Sequence, residues 1–225
     1  MPSDITAYLS AKTIREVTQG AASVAESHTM YRIKGGVSGG TASTAISSFE
    51  EVPRARLRAA RASYSLSPVK GIKLPGSRLV YSLPYVTPTK YGFPFPLAPH
   101  NVATVQRTWG LYQLRALSSL KLPETTISYG DTFKYSESIG ASGPIKAFVM
   151  GLAFTLGGMC LLFIPPVRWL LKLFAPSPGQ GPSDEYVFAS RLSNTSSMFM
   201  MNNIGQVACE WIFEGTECQR FYATA

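Results

Sequence analysis

Acidic residues are scarce where basic ones are dense: between Glu51 and Glu124 the chain carries eleven Lys and Arg and no Asp or Glu. Residues 1–146 hold 17 basic against 8 acidic side chains, whereas 147–225 hold 4 against 5, and the formal net charge is +8. Such a field favours an anionic partner, whether a phosphate-bearing cofactor, an acidic lipid surface or nucleic acid; a solvated basic face is the plainer alternative. Cysteine is also sparse. Cys160, Cys209 and Cys218 form no CxxC pair, which argues against a disulfide framework or a thiolate zinc site and suits a reducing compartment. Only two histidines occur, His28 and His100, each without a His or Cys nearby, so no metal site is expected. The start of the chain has Asp4 and no apolar run, and no secretory signal is expected. What the chain does have is length enough, at 225 residues, to bury a core.

Periodicity supplies the elements. Residues 3–19 read as a helix with Ser3 as N-cap and Gly20 past its end. Its apolar residues Ile5, Tyr8, Leu9, Ile14 and Val17 spread over more than one face, as in a helix buried on several sides. Thr29, Tyr31 and Ile33 alternate as a strand. Ala42, Ala45, Ile46 and Phe49 form one helical stripe, which Pro53 stops with Glu50 and Glu51 at the unfavourable end of the dipole. A basic helix follows over 54–62, then a strand through Leu79, Tyr81 and Leu83. The five prolines of 84–99 suggest an extended aromatic loop, and Asn101 is a candidate cap for a helix carrying Val102, Val105, Trp109 and Tyr112. Phe133 and Tyr135 mark a strand, and the tail reads as short strands. With strand signals clustered at 78–87, 126–137 and 186–214, the expected fold is α+β, a mixed, largely antiparallel sheet with helices on one side.

Lys34-Gly35-Gly36-Val37-Ser38-Gly39-Gly40-Thr41 looks like a phosphate-cradling turn. A P-loop, however, needs Lys and then Ser or Thr after its last glycine, and a dinucleotide turn needs GxGxxG with an acid about 20 residues on. Neither pattern is met. Lys34, Gly35, Gly36, Ser38, Gly39, Gly40 and Thr41 are therefore read as a possible pocket wall, with no cofactor-binding residue assigned. Asp4, His28, Lys34 and His100 have no sequence neighbours suited to acid–base work, so no catalytic residue is nominated.

From Ala147 to Val167 there are 21 residues without Asp, Glu, Lys, Arg or His. Pro165-Pro166 should end a helix at Ile164, leaving a hydrophobic stretch of roughly 27 Å, slightly short of a ~30 Å hydrocarbon core. Val167–Phe174 continues as a basic, Trp-bearing amphipathic piece. Either the run is a core helix covered by protein, or it meets a membrane through Phe148, Leu152, Phe154, Leu156, Leu161, Leu162, Phe163 and Trp169. Lys146, Arg168 and Lys172 then stand as interfacial anchors, and Gly151, Gly157 and Gly158 suit close packing in lipid. If the segment spans, the charge asymmetry puts residues 1–146 on the cytoplasmic side.

Several stretches, in order, resemble one family. Met1-Pro2-Ser3-Asp4-Ile5, the glycine turn, Phe93-Pro94-Phe95 with Ala98-Pro99, and Tyr129-Gly130-Asp131 with Phe133-Lys134-Tyr135 are four of them. Leu170 to Glu185 and the ending Gly215-Thr216-Glu217, Phe221, Thr224-Ala225 complete the set. Together they are similar to the saccharopine dehydrogenase-like oxidoreductases, relatives of bacterial trans-acting enoyl reductases. The resemblance covers the C-terminal, substrate-side portion; the N-terminal Rossmann domain that binds NAD(P) in that family is absent from these residues, and 186–214 departs from the family pattern. It implies an oxidoreductase fragment linked to membrane or lipid droplets and to lipid or glycolipid metabolism, inactive without its NAD(P)-binding half. A non-enzymatic membrane-associated interaction protein is the alternative. The expected organisation is an α+β domain over 1–146, a membrane-contacting segment over 147–174, and a linker with the remaining strands over 175–225. Expected partners are a cytoplasm-facing lipid surface and a separate Rossmann-domain chain, with no nucleic acid.

Overall fold

The computed structural model describes residues 2–20, 22–33, 39–73, 76–83, 88–117, 129–177, 191–200, 207–214 and 217–224, with side chains described only as far as Ser177. The elements run α1 (Pro2–Val17), β1 (Ala22–Arg32), α2 (Gly39–Glu51), α3 (Arg54–Ala60), β2 (Tyr81–Leu83), β3 (Lys90–Pro94), α4 (Ala98–Leu117), β4 (Lys134–Ala141), α5 (Pro144–Phe163), α6 (Pro165–Phe174), β5 (Arg191–Met200), β6 (Val207–Glu214) and β7 (Glu217–Thr224). The strands form one mixed sheet in the order β2-β3-β4-β1-β5-β6-β7. Only β1 with β4 is parallel; every other neighbouring pair is antiparallel. The fold is therefore α+β, mixed and largely antiparallel, with one long apolar helix.

At the centre of the sheet β1 is buried almost continuously, from Ser27 to Met30 and at Val24 and Ala25. A strand covered on both faces loses the alternation of an exposed one, which is why only its end, Thr29 to Ile33, reads clearly from sequence. Helices α1 and α4 pack on one another, α1 against β1, β5 and β6 and α4 against β4. Their interface with the sheet holds the main core, with Ala7, Ala11, Ile14, Val24, Val105, Trp109, Tyr129, Phe133 and Tyr135 among its members.

Helix α1 is buried mainly on one face, not on the several sides that the spread of its large apolar residues suggests. Ser3, Thr6, Ala7, Ser10, Ala11, Thr13 and Ile14 are buried while Ile5 and Val17 are exposed. Small side chains let the helix approach the sheet closely; Ser3 Oγ meets Tyr31 Oη of β1, while Thr6 Oγ1 donates to the Ser3 carbonyl within the helix at 2.9 Å. Pro2 opens the helix, so Ser3 lies inside it. Gly20, at φ +82°, turns the chain beyond its end and donates its N–H to the Arg15 carbonyl at 2.9 Å.

Three further expectations are corrected. The stretch 84–99 includes a strand, β3, that pairs with β4 from Tyr91 to Pro94. Asn101 lies one turn inside α4, which begins at Ala98, and its amide is engaged with the sheet. Ala45, placed on the buried stripe of α2, is exposed, whereas Ile46 is buried.

Helix α5 docks through its small residues. Ala147 and Gly151 are its buried positions, and a Cβ on Gly151 would overlap the backbone carbonyl of Leu79. At Gly157 nothing stands within 4 Å of such a Cβ. The two glycines therefore respond with opposite sign. Gly151→Ala should lower stability by about 1–3 kcal/mol, because backbone must yield. Gly157→Ala should raise it by up to about 1 kcal/mol through helix propensity. Chemical denaturation of the two variants beside the parent chain measures both.

Candidate functional site

The parallel register of β1 on β4 sets His28 opposite Ser136 and Thr29 opposite Glu137. Because side chains alternate across a strand, the pair presents two different polar clusters, one on each face of the sheet.

On the face covered by α1 and α4 lies Glu137, 2 % exposed. Its carboxylate accepts hydrogen bonds from Tyr135 Oη at 2.7 Å, Asn101 Nδ2 at 2.9 Å and Tyr31 Oη at 3.4 Å. Tyr31 Oη also meets Ser3 Oγ in a short contact, and Tyr135 Oη bonds Thr29 Oγ1 at 2.7 Å. One carboxylate thus ties α1, α4, β1 and β4 together. Burial pushes its pKa above the usual carboxylate value, against the opposing pull of these donors. Burial, reinforced by the Glu137 charge, likewise pushes the Tyr31 and Tyr135 hydroxyls up.

On the other face His28 sits between two serine hydroxyls, Nδ1 at 2.7 Å from Ser136 Oγ and Nε2 at 2.8 Å from Ser138 Oγ. Tyr81 lies beside the imidazole with ring centres 5.6 Å apart. Burial lowers the His28 pKa to about 4, so the ring is neutral at physiological pH, one nitrogen donating and the other accepting. A base that weak is poorly matched to proton abstraction near neutrality; as a hydrogen-bonding group it is fully engaged.

His28, Ser136 and Glu137 are among the residues that line an open cleft of about 1270 Å³. Its opposite wall is the C-terminal half of α5, including Phe154, Gly157, Gly158, Leu161 and Leu162, and Phe49 of α2 contributes as well. Arg61 and Arg78 border it, together with Lys134 and Glu26.

Outward, α5 presents Ile145, Val149, Leu152, Leu156, Met159 and Phe163, all exposed and spaced by three or four residues, hence one continuous stripe. Leu156 is 52 % exposed and Phe163 60 %. Helix α6 adds Trp169, Leu170, Leu173 and Phe174. The arrangement inverts the usual one for a surface helix, with small residues facing the protein and large apolar ones facing away.

The corner between α5 and α6 is tied to the corner between α2 and α3 by two reciprocal contacts. Arg54, opening α3, donates Nη2 to the Leu162 carbonyl at 3.3 Å and lies 5.3 Å from the centre of the Phe163 ring. Arg168, on α6, donates Nη1 to the Phe49 carbonyl at 3.1 Å. Each cation serves the C-terminal carbonyls of the other's partner helix, where a positive charge is favoured. Lys172 completes the joint with an ion pair to Glu50 at 2.7 Å. Arg168 and Lys172, expected as membrane anchors, are engaged with α2, and the acidic end of that helix acquires the counter-charges its own sequence lacks.

Of the residues singled out from sequence, Lys34, Gly35, Gly36 and Ser38 lie outside the described residues. Gly39, Gly40 and Thr41 open α2, and Gly39 is buried where a Cβ would overlap the Ser177 backbone. Phe148, Leu152, Phe154, Leu156, Phe163 and Trp169 are exposed, while Leu161 and Leu162 are half-buried against the cleft. Phe154 also packs on Phe93, ring centres 5.3 Å apart. Asp4 accepts a hydrogen bond from Thr108 Oγ1 at 3.0 Å, and His100 is exposed. Ser136, Ser138 and Glu137 escaped sequence reasoning because His28 stands about a hundred residues from the two serines and Asn101 stands 36 from the carboxylate. The alternation of Tyr135, Glu137 and Ile139 in β4 was the available signal. Among the described residues no cluster of three or more His, Cys, Asp or Glu could hold a metal ion. Comparison with models of protein families, with curated proteins and with solved structures gives no match.

His28 and Glu137 give opposite pH signatures. His28 holds fewer protons folded than unfolded between its folded value of about 4 and its ordinary 6.5. Its contribution is therefore fully present above 6.5 and is lost on acidification toward 4, up to about 3 kcal/mol. Glu137, with its pKa raised, holds more protons folded, so its contribution to stability improves as pH falls through its folded value toward the ordinary carboxylate range. His28→Gln should flatten the loss of stability between pH 6.5 and pH 4, leaving the opposing Glu137 trend. Urea midpoints across that range check it.

Proposed function

We propose that the chain is a membrane-apposed α+β domain, the substrate-side portion of a saccharopine dehydrogenase-like oxidoreductase, inactive without a dinucleotide-binding half. The observation that carries the membrane reading is the outward stripe of α5, continued by Trp169, Leu170, Leu173 and Phe174 of α6. A core helix needs cover on every side, yet only Ala147 and Gly151 of α5 are buried. This is the one helix among the described residues long and apolar enough to cross a membrane.

Its docking favours insertion in the plane of the surface. While Ala147, Gly151 and Phe154 hold α5 against β3, β4 and the segment leading into β2, a transmembrane orientation would drag sheet edge and polar cleft into hydrocarbon at high cost. An in-plane helix buries the stripe and leaves the sheet in water. Arg54, Arg56 and Arg58, exposed on α3 next to the end of α5, suit an anionic, cytoplasm-facing surface such as a leaflet or a lipid droplet. The oxidoreductase part rests on the family resemblance. The engagement of His28 and Glu137 in structural hydrogen bonds supports the second reading, a non-enzymatic membrane-associated interaction protein.

Flotation with liposomes tests the membrane reading. The chain should float with vesicles, more completely with anionic lipid and less at high salt, and Leu152→Asp with Leu156→Asp should return it to the soluble fraction. Equal recovery of parent and variant in solution would overturn the reading. Titration with NADPH should give no saturable change in nicotinamide fluorescence from the chain alone; saturation at micromolar cofactor would contradict the proposed lack of a dinucleotide site.

A further inference from the structure

We propose that the cleft between α5 and the sheet binds one anionic acyl amphiphile, its hydrocarbon lying along α5 and its head group toward Arg61 and Arg78. This deepens the membrane reading and rests on it for the source of the ligand, but it concerns the inward face of α5, whereas membrane contact concerns the outward one.

Helix α5 is supported like a beam. Near its start Gly151 rests on the Leu79 backbone, and at its far end Arg54 holds the Leu162 carbonyl. Phe154 adds a contact with Phe93 of β3, and beyond it, at Gly157 and Gly158, nothing lies within 4 Å of where a Cβ would be. Side chains there would fill the gap; the glycines leave it open. The space, about 1270 Å³, exceeds the ~300–1,000 Å³ typical of small-molecule pockets, which leaves room for a long chain.

The lining selects the class of occupant. Phe154, Leu161, Leu162 and Phe49 form an apolar wall without a free donor or acceptor. A peptide laid along it would leave its own backbone groups unpaired, whereas a hydrocarbon chain loses nothing. The charged groups of the lining are Arg61, Arg78 and Lys134 against Glu26 and Glu137. The Glu137 carboxylate is occupied by three donors, so the accessible balance favours an anion. Arg61 and Arg78 are exposed, which places the charge of the ligand at the wetter border of the cleft and its tail within.

Parinarate, a fluorescent polyene fatty acid, is the probe, with the full chain kept free of vesicles. Saturable enhancement of its emission is expected from the parent chain. Gly158→Leu puts a side chain into the cleft while improving helix propensity, and it should weaken binding at least tenfold with an unfolding midpoint at or above the parent's. Gly157→Leu serves as the second blocking variant. Arg61→Glu with Arg78→Glu should weaken binding severalfold, and the alcohol of the same chain should compete less well than the acid. Leu152→Asp with Leu156→Asp should bind parinarate as the parent does while failing to float, and Gly158→Leu should float normally, so that the two proposals fail separately. The proposal is overturned by unsaturable binding, by parent-like affinity in both glycine variants, or by indifference to the arginines and to the charge of the head group.

Discussion

The parallel pairing of β1 with β4 is the constraint on which the rest of the molecule depends. Parallel neighbours cannot be joined by a tight turn, and here the connection takes in α2, α3, the β2–β3 hairpin and α4. The same register that sets Thr29 opposite Glu137 sets His28 opposite Ser136. Both polar clusters follow from it, and so does the place of α4, whose Asn101 must reach Glu137. Only the short link at 142–143 separates β4 from α5, so the apolar helix begins wherever β4 ends.

A buried carboxylate with no cation among its partners in the described residues is an unusual centre for a fold. Its desolvation is offset by hydrogen bonds from Tyr135, Asn101 and Tyr31, each stronger for being charge-assisted. Removing any one donor would leave the others in place but the charge less compensated, which makes the cluster specific to this arrangement of helices. The neutral imidazole on the opposite face does complementary work, joining the same two strands without adding a second buried charge.

The elements with strong local patterns were legible from the sequence. The stop at Pro53, the end of α5 before Pro165 and the stripe of Val105 and Trp109 all reflect interactions within a few residues. What was not legible depended on distant partners. Asn101 has the chemistry of a helix cap, and nothing local reveals that Glu137 competes for its amide. Arg168 and Lys172 look like interfacial anchors until Phe49 and Glu50 are brought beside them. The stretch 84–99 reads as a loop because its prolines hide β3, and α1 reads as a helix buried on several sides although its buried face is built mainly of Ser, Thr and Ala. In the cleft, the glycines of α5 were visible, but one packs against backbone and two face open space, a distinction that only the fold draws.

The position of β1 also has a consequence in time. Its neighbours on either side, β4 and β5, lie more than a hundred residues further along the chain, so of the strands in the sheet the central one is made first and waits longest to be flanked on both sides. Long-range pairing of this kind folds slowly, and an unpaired strand edge is exposed to wrong partners meanwhile. Helix α5 leaves the ribosome after β4 and before β5. The growing chain therefore holds its most apolar segment while half of its sheet is still unmade, and a lipid surface encountered then meets a chain whose central strand still has one side open.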